Sequence, residues 1–228
     1  ISKSLVRGLA HEIKNPLGGI RGAAQLLDQE IVQHGMDAES RELTKIITTE
    51  TDRLKDLVDR LLEPHHTLKF QKLNIHEVTE HVTSLLEAET QGKFQFTRDY
   101  DPSIPELNGD KSQLIQAVLN VARNALQAVH EVDIQQPEIT VRTRVQSNYT
   151  ISDNRYRFVC RLAIIDNGPG ITPDMTEQIF FPLVSERSGG TGLGLTIAQT
   201  AVTRHKVTIE CSSEPGDTIF SIYLPLGE

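Results

Sequence analysis

The stretch KSQLIQAVLNVARNALQAV, residues 111–129, decides how the rest of the sequence is read. At about 100° per residue, Leu114, Ile115, Val118, Ala122, Ala125, Leu126 and Val129 share one side of a helix. Gln113, Gln116, Asn120, Arg123, Asn124 and Gln127 fall within an arc of roughly 100° on the other side. Solvated helix faces usually carry Glu and Lys. A stripe of amides with a single cation suits a wall that orders a metal and a polyphosphate; the plainer reading is an ordinary wet face.

Downstream, two β-rich runs, Glu138 to Gln146 and Tyr156 to Ile165, flank a polar connector at Ser147 to Arg155 and read as antiparallel neighbours. The run AIIDNGPGI, residues 163–171, is an apolar strand that ends on Asp166 and turns through Gly168 and Gly170. An Asp at a strand end can accept a hydrogen bond from an exocyclic amine, and glycines let a flat ring approach the backbone; the bland alternative is a strand and a turn. The run GGTGLGL, residues 189–195, precedes a helix from Leu193 to Arg204. The backbone N–H groups of Gly190, Thr191, Gly192, Leu193 and Gly194, with the helix N-terminus, can therefore cradle phosphate oxygens. No Gly-Lys-Ser/Thr follows, so this is not a Walker loop. Thr172 to Ser188 is read as a mobile lid containing Phe180 and Phe181. Strands at Thr208 to Ser212 and Thr218 to Leu224, joined by a turn at Glu214 to Asp217, close the chain.

Upstream lie a helix at Ile75 to Thr90, a strand at Lys93 to Asp99 and a Pro-containing loop at Asp101 to Leu107. With the later elements they make an α/β sandwich whose helices cover one sheet face. Pro64 to Lys72 is a linker, in which His65 and His66 are read as solvated rather than metal-bound. Before it, Leu9, Ile13, Pro16, Ile20, Ala23 and Leu27 recur at spacings of four and three, the mark of a helix along a bundle seam. After a break at Gly35 and Asp37, Leu43, Ile47, Leu54, Leu57 and Leu61 form a second helix that stops at Pro64. A hairpin of two such helices cannot bury both stripes by itself, so a dimeric four-helix bundle is expected. The fold class is thus α+β: a helical hairpin at 1–66, then an α/β sandwich at 67–228.

His11 falls roughly opposite the seam residues, with Asn15 on the same outward face, Glu12 beside it, and Pro16 expected to kink the helix. A neutral imidazole is a nucleophile near neutral pH, and an adjacent carboxylate can orient the ring and take its proton. A surface histidine on an amphipathic helix is the plain alternative.

Composition narrows the function classes. A formal net charge of −8 over 228 residues leaves no basic stripe for a DNA or RNA backbone. Cys160 and Cys211 are far apart and read as reduced core thiols of a cytoplasmic protein. No apolar run is long enough to span a membrane. Ile1 as the first residue suggests a piece of a longer chain with a sensory region upstream.

The motifs in this order resemble those of sensor histidine kinases, whose nucleotide domain is of the histidine kinase/gyrase/Hsp90 type. His11-Glu12-Ile13-Lys14-Asn15-Pro16-Leu17 resembles the H-box. That resemblance implies His11 as phosphoacceptor, Glu12 as its acid/base partner, and Asn15 as the amide that positions water in dephosphorylation of a response regulator. The amide stripe resembles the N-box, which implies Asn124 as ligand of Mg²⁺ and Arg123 near the phosphates of ATP. Asn120, also on the nucleotide face, stands where gyrase, Hsp90 and MutL relatives carry a water-activating Glu, which implies transfer to histidine over hydrolysis. The 163–171 run resembles the G1 box, with Asp166 reading the adenine amino group; residues 189–195 resemble the G2 box. Phe180 and Phe181 lie where the family has its F-box, with Pro182-Leu183 in place of the commoner Pro-Phe. Lys206-Val207 replace the usual glycine-containing turn. Leu5 to Leu27, Arg98-Asp99-Tyr100-Asp101-Pro102 and Phe181-Pro182-Leu183-Val184-Ser185 are similar to the nitrogen-regulation branch, the NtrB type. The resemblance implies a homodimer that autophosphorylates from Mg-ATP, passes the phosphoryl group to a nitrogen-regulation activator, can dephosphorylate it, and answers to a PII-type signal protein. The alternatives are a hydrolytic ATPase or chaperone of the same superfamily, and a non-catalytic pseudokinase docking module.

Overall fold

The computed structural model describes residues 3–34, 38–62, 68–130, 132, 134, 136–151, 153–181, 184 and 192–227; side chains at 3–13, 34, 38, 53 and 55–62 lie outside that description. The chain divides into two compact units, Ile1–His66 and Thr67–Glu228.

In the first unit α1 (Lys3–His34) runs unbroken through Pro16, and α2 (Ala38–Leu62) packs along it. Arg21 Nε meets Asp52 Oδ1 at 2.6 Å, and the Thr44 hydroxyl donates to Asp28 Oδ1 at 3.1 Å. Partners thus converge toward the connection, which makes the hairpin antiparallel. Within one chain the hairpin covers part of the apolar stripe. Among the described residues, Leu17, Ala24 and Ile31 are buried on α1, and Thr44 and Thr51 on α2. Ile20 and Leu27 remain 49% and 50% exposed, as do Leu43 (56%) and Leu54 (48%) on α2. The apolar stripe of α1 is wider than one partner helix can cover, so α2 takes its Leu17–Ala24–Ile31 edge and leaves the Ile20–Leu27 edge open. Leu9 and Ile13 belong to the side chains outside the description.

The second unit carries a five-stranded sheet in the order β2-β4-β5-β7-β6. The strands are β2 (Gln95–Asp99), β4 (Glu138–Ile151), β5 (Asn154–Asp166), β6 (Thr208–Glu214) and β7 (Asp217–Pro225). β2 lies parallel to β4, and the other pairs are antiparallel. Alternate residues, among them Ile139 and Val141, Cys160, Leu162 and Ile164, and Phe220, Ile222 and Leu224, meet the buried sides of α3 (Ile75–Thr90), α4 (Lys111–His130) and α6 (Gly194–Arg204) in one core. Helices therefore cover one face. On the other face Ile151, Val159 and Tyr223 form a small cluster joined by Tyr149 and Tyr156.

Two expectations about loops are corrected. The linker read through Lys72 gives way to β1 (Gln71–Leu73), which pairs with β3 (Leu107–Gly109) in the stretch read as the end of a loop. That pairing sets Leu73 opposite Leu107, both buried. Likewise most of the connector read at Ser147 to Arg155 is strand, since β4 runs to Ile151 and β5 starts at Asn154. Tyr149 stacks on Tyr223, ring centroids 4.2 Å apart, and its hydroxyl donates to Glu210 Oε1 at 2.8 Å, so a polar hairpin gains a packed face.

At the end of β2, Arg98 forks onto Glu80 and Glu87 of α3, Asp99 binds Arg142 and Arg144 of β4, and Tyr100 stacks on His76. The Arg98–Asp99–Tyr100 stretch thereby ties helix layer to sheet.

The helix that carries the amide stripe is held at its start. Asp110 Oδ1 accepts hydrogen bonds from the backbone N–H groups of Ser112 (3.1 Å) and Gln113 (3.2 Å), and Oδ2 accepts from that of Lys69 (2.8 Å). The Asp110 N–H donates to His205 Nε2 at 2.9 Å. A backbone amide can only donate, so Nδ1 of His205 carries the ring proton and gives it to the Ala201 carbonyl at 2.8 Å. Burial pushes the Asp110 carboxyl pKa up, but the four hydrogen bonds from Ser112, Lys69 and Gln113 outweigh it and hold it below the usual carboxylate value. The folded chain thus binds fewer protons here than the unfolded chain, and this stability is present at neutral pH and lost as pH falls through the carboxylate range. Asp110→Ala is expected to cost about 1–2 kcal/mol at pH 7 and to flatten the loss of stability toward pH 4, in urea melts at both pH values. An unchanged midpoint at pH 7 contradicts the capping role.

Lys206 stands at φ 58°, in the left-handed region that favours glycine. Lys206→Gly is expected to stabilise by about 0.5–1 kcal/mol, read as a raised melting temperature; a lowered one contradicts backbone strain at this turn.

Candidate nucleotide site

β5 ends on Asp166, which is 1% exposed. The turn that follows is over-determined. Gly168 N–H donates to Asp166 Oδ1 at 3.0 Å, Gly216 N–H donates to the Gly168 carbonyl at 2.9 Å, and Ile171 N–H donates to Ser213 Oγ at 2.8 Å. A Cβ on Gly168 would lie 2.6 Å from Asp166 Oδ1 and 3.1 Å from the Ala128 Cβ of α4. Gly170, at φ 86°, would set a Cβ 3.0 Å from Pro215 N. The β6–β7 turn thus buttresses the loop from one side and α4 from another. Burial pushes the Cys211 thiol up to about 12, with the charge of Asp166 adding to it, so no second anion forms behind the carboxylate at neutral pH.

On α4, Asn120, Arg123 and Asn124 are half-buried, and Gln127 is exposed. Asn120 Nδ2 is buried without a hydrogen-bond partner among the described residues. Arg123 does not stand alone: Nη2 meets Glu89 Oε1 of α3 at 2.6 Å, with both side chains about two-fifths exposed. Glu89, 34 residues away, carries no local sequence signal; the same is true of Ser213 and Gly216.

Gly190 and Thr191 lie outside the described residues, as do 182–183 and 185–189. Gly192 has φ 62°, Leu193 is buried at the N-cap position, and Gly194 opens α6 with no side-chain cap. α5 (Pro173–Thr176) lies within the stretch read as a lid. The two phenylalanines part company. Phe180 packs edge-on against Phe220 at 6.3 Å, with its carbonyl accepting from the Thr196 hydroxyl, whereas Phe181 is 59% exposed. In the first unit, α1 carries His11 and Glu12, whose side chains are outside the description, and an exposed Asn15.

A strand ending on a buried acid, a glycine turn against an amide-faced helix, and a glycine-led helix define a nucleotide-binding unit of known type. The chain belongs to the histidine kinase-, DNA gyrase B- and HSP90-like ATPase family, matched over residues 109–228, and residues 2–65 match the His Kinase A (phospho-acceptor) domain. It is 48% identical to the sensory histidine kinase/phosphatase NtrB of Salmonella typhimurium over 99% of this chain and 62% of that protein. The chain therefore spans about three-fifths of the length of that relative. Among solved structures, full-length ShkA in complex with AMPPNP matches with TM-score 0.71 at 22% identity, over 100% of this chain and 46% of that one. Histidine kinase ThkA in complex with response regulator TrrA matches with TM-score 0.66 at 24% identity, over 98% of this chain and 61% of that one. These two likenesses concern the fold.

Because a methyl group at 168 has nowhere to go, Gly168→Ala is expected to destabilise by about 1–3 kcal/mol. Gly194→Ala, where an added Cβ meets nothing within 4 Å among the described residues, should change stability by less than about 0.5 kcal/mol. Denaturant melts of the two variants compare them; equal effects contradict the packing of Gly168 on Ala128.

Proposed function

We propose that the chain is the core of a sensor histidine kinase: residues 67–228 bind Mg-ATP, and residues 1–66 dimerise and present His11 as acceptor of the γ-phosphoryl group. The observation that carries this reading is the buried Asp166 carboxylate, pinned by Gly168 against the amide-faced helix α4, in a chain that also has a phospho-acceptor domain.

The residues present fit the nucleotide. Asn120 Nδ2 is a buried donor in want of an acceptor, and Asn120, Asn124 and Gln127 offer amide groups without the repulsion that carboxylates would set against a polyphosphate. Asp166 accepts from the exocyclic amine of adenine, and Gly168 and Gly170 keep the backbone low beneath the ring. Asn124 would hold Mg²⁺ through its amide oxygen, and the run from Gly190 through Thr191, Gly192 and Leu193 to Gly194 would supply backbone donors for the phosphates. Arg123 reaches the phosphates only by leaving Glu89. Bound Mg-ATP supplies the phosphoryl group with its charge partly neutralised.

A neutral His11 ring nitrogen then bonds to the γ-phosphorus as the bond to the β,γ-bridging oxygen breaks and ADP leaves. The proton on the other ring nitrogen passes to Glu12. Asn120 has no basic oxygen with which to activate water, so transfer to histidine outruns hydrolysis. Phospho-His11 donates to an aspartate of a response regulator, by similarity a nitrogen-regulation activator. Asn15, exposed four residues beyond His11, positions water when the same regulator is dephosphorylated. The likeness to the kinase/phosphatase NtrB and to ThkA with its bound response regulator supports both halves of this reading.

The uncovered Ile20, Leu27, Leu43 and Leu54 favour a second copy of the hairpin as partner, since apolar rows on both helices face water in one chain. A PII-type signal protein sets the kinase and phosphatase balance. Among the described residues no helix is long and apolar enough to cross a membrane. The two cysteines, Cys160 and Cys211, are free thiols, as in a reducing cytoplasm, which is the setting proposed for the chain.

Incubation with labelled Mg-ATP tests the reading. Label that is lost in acid, survives alkali, and is absent from His11→Gln and Asn124→Ala is the expected result. Undiminished label in His11→Gln would remove His11 as acceptor.

A further inference from the structure

Asn167 sits between the two residues that shape the turn, yet its backbone is not among the left-handed positions. It is therefore not there for the conformational freedom that often selects Asn in turns. Its side chain explains it better. Oδ1 accepts from the Glu138 N–H at 3.0 Å, and Nδ2 donates to the Gln136 carbonyl at 2.8 Å.

These two bonds continue a ladder that the backbone has abandoned. Pairing of β4 with β5 ends at Ile139 opposite Asp166, because the chain turns away at Gly168. On its other edge Glu138 stands opposite Gln95 of β2, whose N–H donates to the Pro137 carbonyl at 3.2 Å. The Asn167 amide takes the place of one more strand residue, with one donor and one acceptor correctly spaced. Residues 136–138 lead from the end of α4 into β4, so the same side chain ties the connection leaving the amide-faced helix to the turn that aims Asp166. Asp at this position would keep the acceptor, lose the donor and set a second carboxylate beside the first.

We propose that Asn167 is a positioning residue for base recognition, holding the Asp166 carboxylate toward the adenine amino group through its bridge to Gln136 and Glu138. This rests on the reading of Asp166 given above.

The test is calorimetric binding of ATP and of ITP, which carries an oxygen where ATP has the amine, to the whole chain. Wild type should prefer ATP. Asn167→Ala should bind ATP about tenfold more weakly with ITP affinity unchanged, and adding it to Asp166→Asn should cost nothing further. Asn167→Asp, which keeps the Glu138 bond, should also lose preference for ATP and keeps the test open if the alanine variant does not fold. An undiminished ATP-to-ITP preference in both Asn167 variants overturns the inference alone, as does an equal loss of both nucleotides. If Asp166→Asn itself leaves the preference intact, the inference falls together with the reading of Asp166.

Discussion

The second unit depends on a single close approach, that of the Gly168 backbone to Ala128 of α4. Everything around it is arranged to keep that distance. The sheet delivers Asp166 at the end of β5, the turn between β6 and β7 presses on Gly170, and α4 presents a small residue where a larger one would lift the turn away. Hydrogen bonds at Gly168, Ile171 and Gly216 then fix the loop with little freedom left to lose when a ligand arrives. Preorganisation of this kind lets binding energy go to positioning rather than to ordering the site.

The same logic extends down α4. Asp110 caps its start, and through Lys69 and His205 it links the first residues of the unit with the end of α6. The helix is thereby held at its start by a capping cluster and near its end by the glycine turn, and the amide face lies between two fixed points. Surface ion pairs such as Asp99 with Arg142 and Arg144 are each worth little; their use is to hold β2 in a parallel register that only five residue pairs define. The hairpin follows another economy. Among the described residues of α2, Thr44 and Thr51 are the buried ones, and their hydroxyls donate to Asp28 Oδ1 and the Ile47 carbonyl. Leu43 and Leu54 of the same helix stay about half exposed, an apolar surface that one chain leaves open.

How much of this was legible in the sequence varies by element. The α4 helix is legible because its apolar residues recur at helical spacing opposite a stripe of amides. The run into Asp166 was legible because an apolar strand, an acid and two glycines are adjacent. Three-residue strands have no period to read, so β1 and β3 were taken as linker and loop. The polar tip of β4 and β5 was missed because what holds it, Tyr223, lies far along the chain. For the hairpin the period marks a bundle seam but not which part of it is covered within one chain, where Leu17, Ala24 and Ile31 are buried and Ile20 and Leu27 are not. Within the site, Arg123 looked like a free cation, and its pairing with Glu89 arises only when α3 and α4 lie side by side.

On the proposed reading, what separates this chain from water-using ATPases of the same family is the amide of Asn120 in place of a base. The most direct measurement is the time course of ADP release from excess Mg-ATP, without a regulator present. A rapid phase that stops at about one ADP per chain is expected, as His11 is filled and water attack stays slow. Linear release continuing through many turnovers, with no phosphoryl group retained on the protein, would contradict it and make the chain a hydrolytic ATPase.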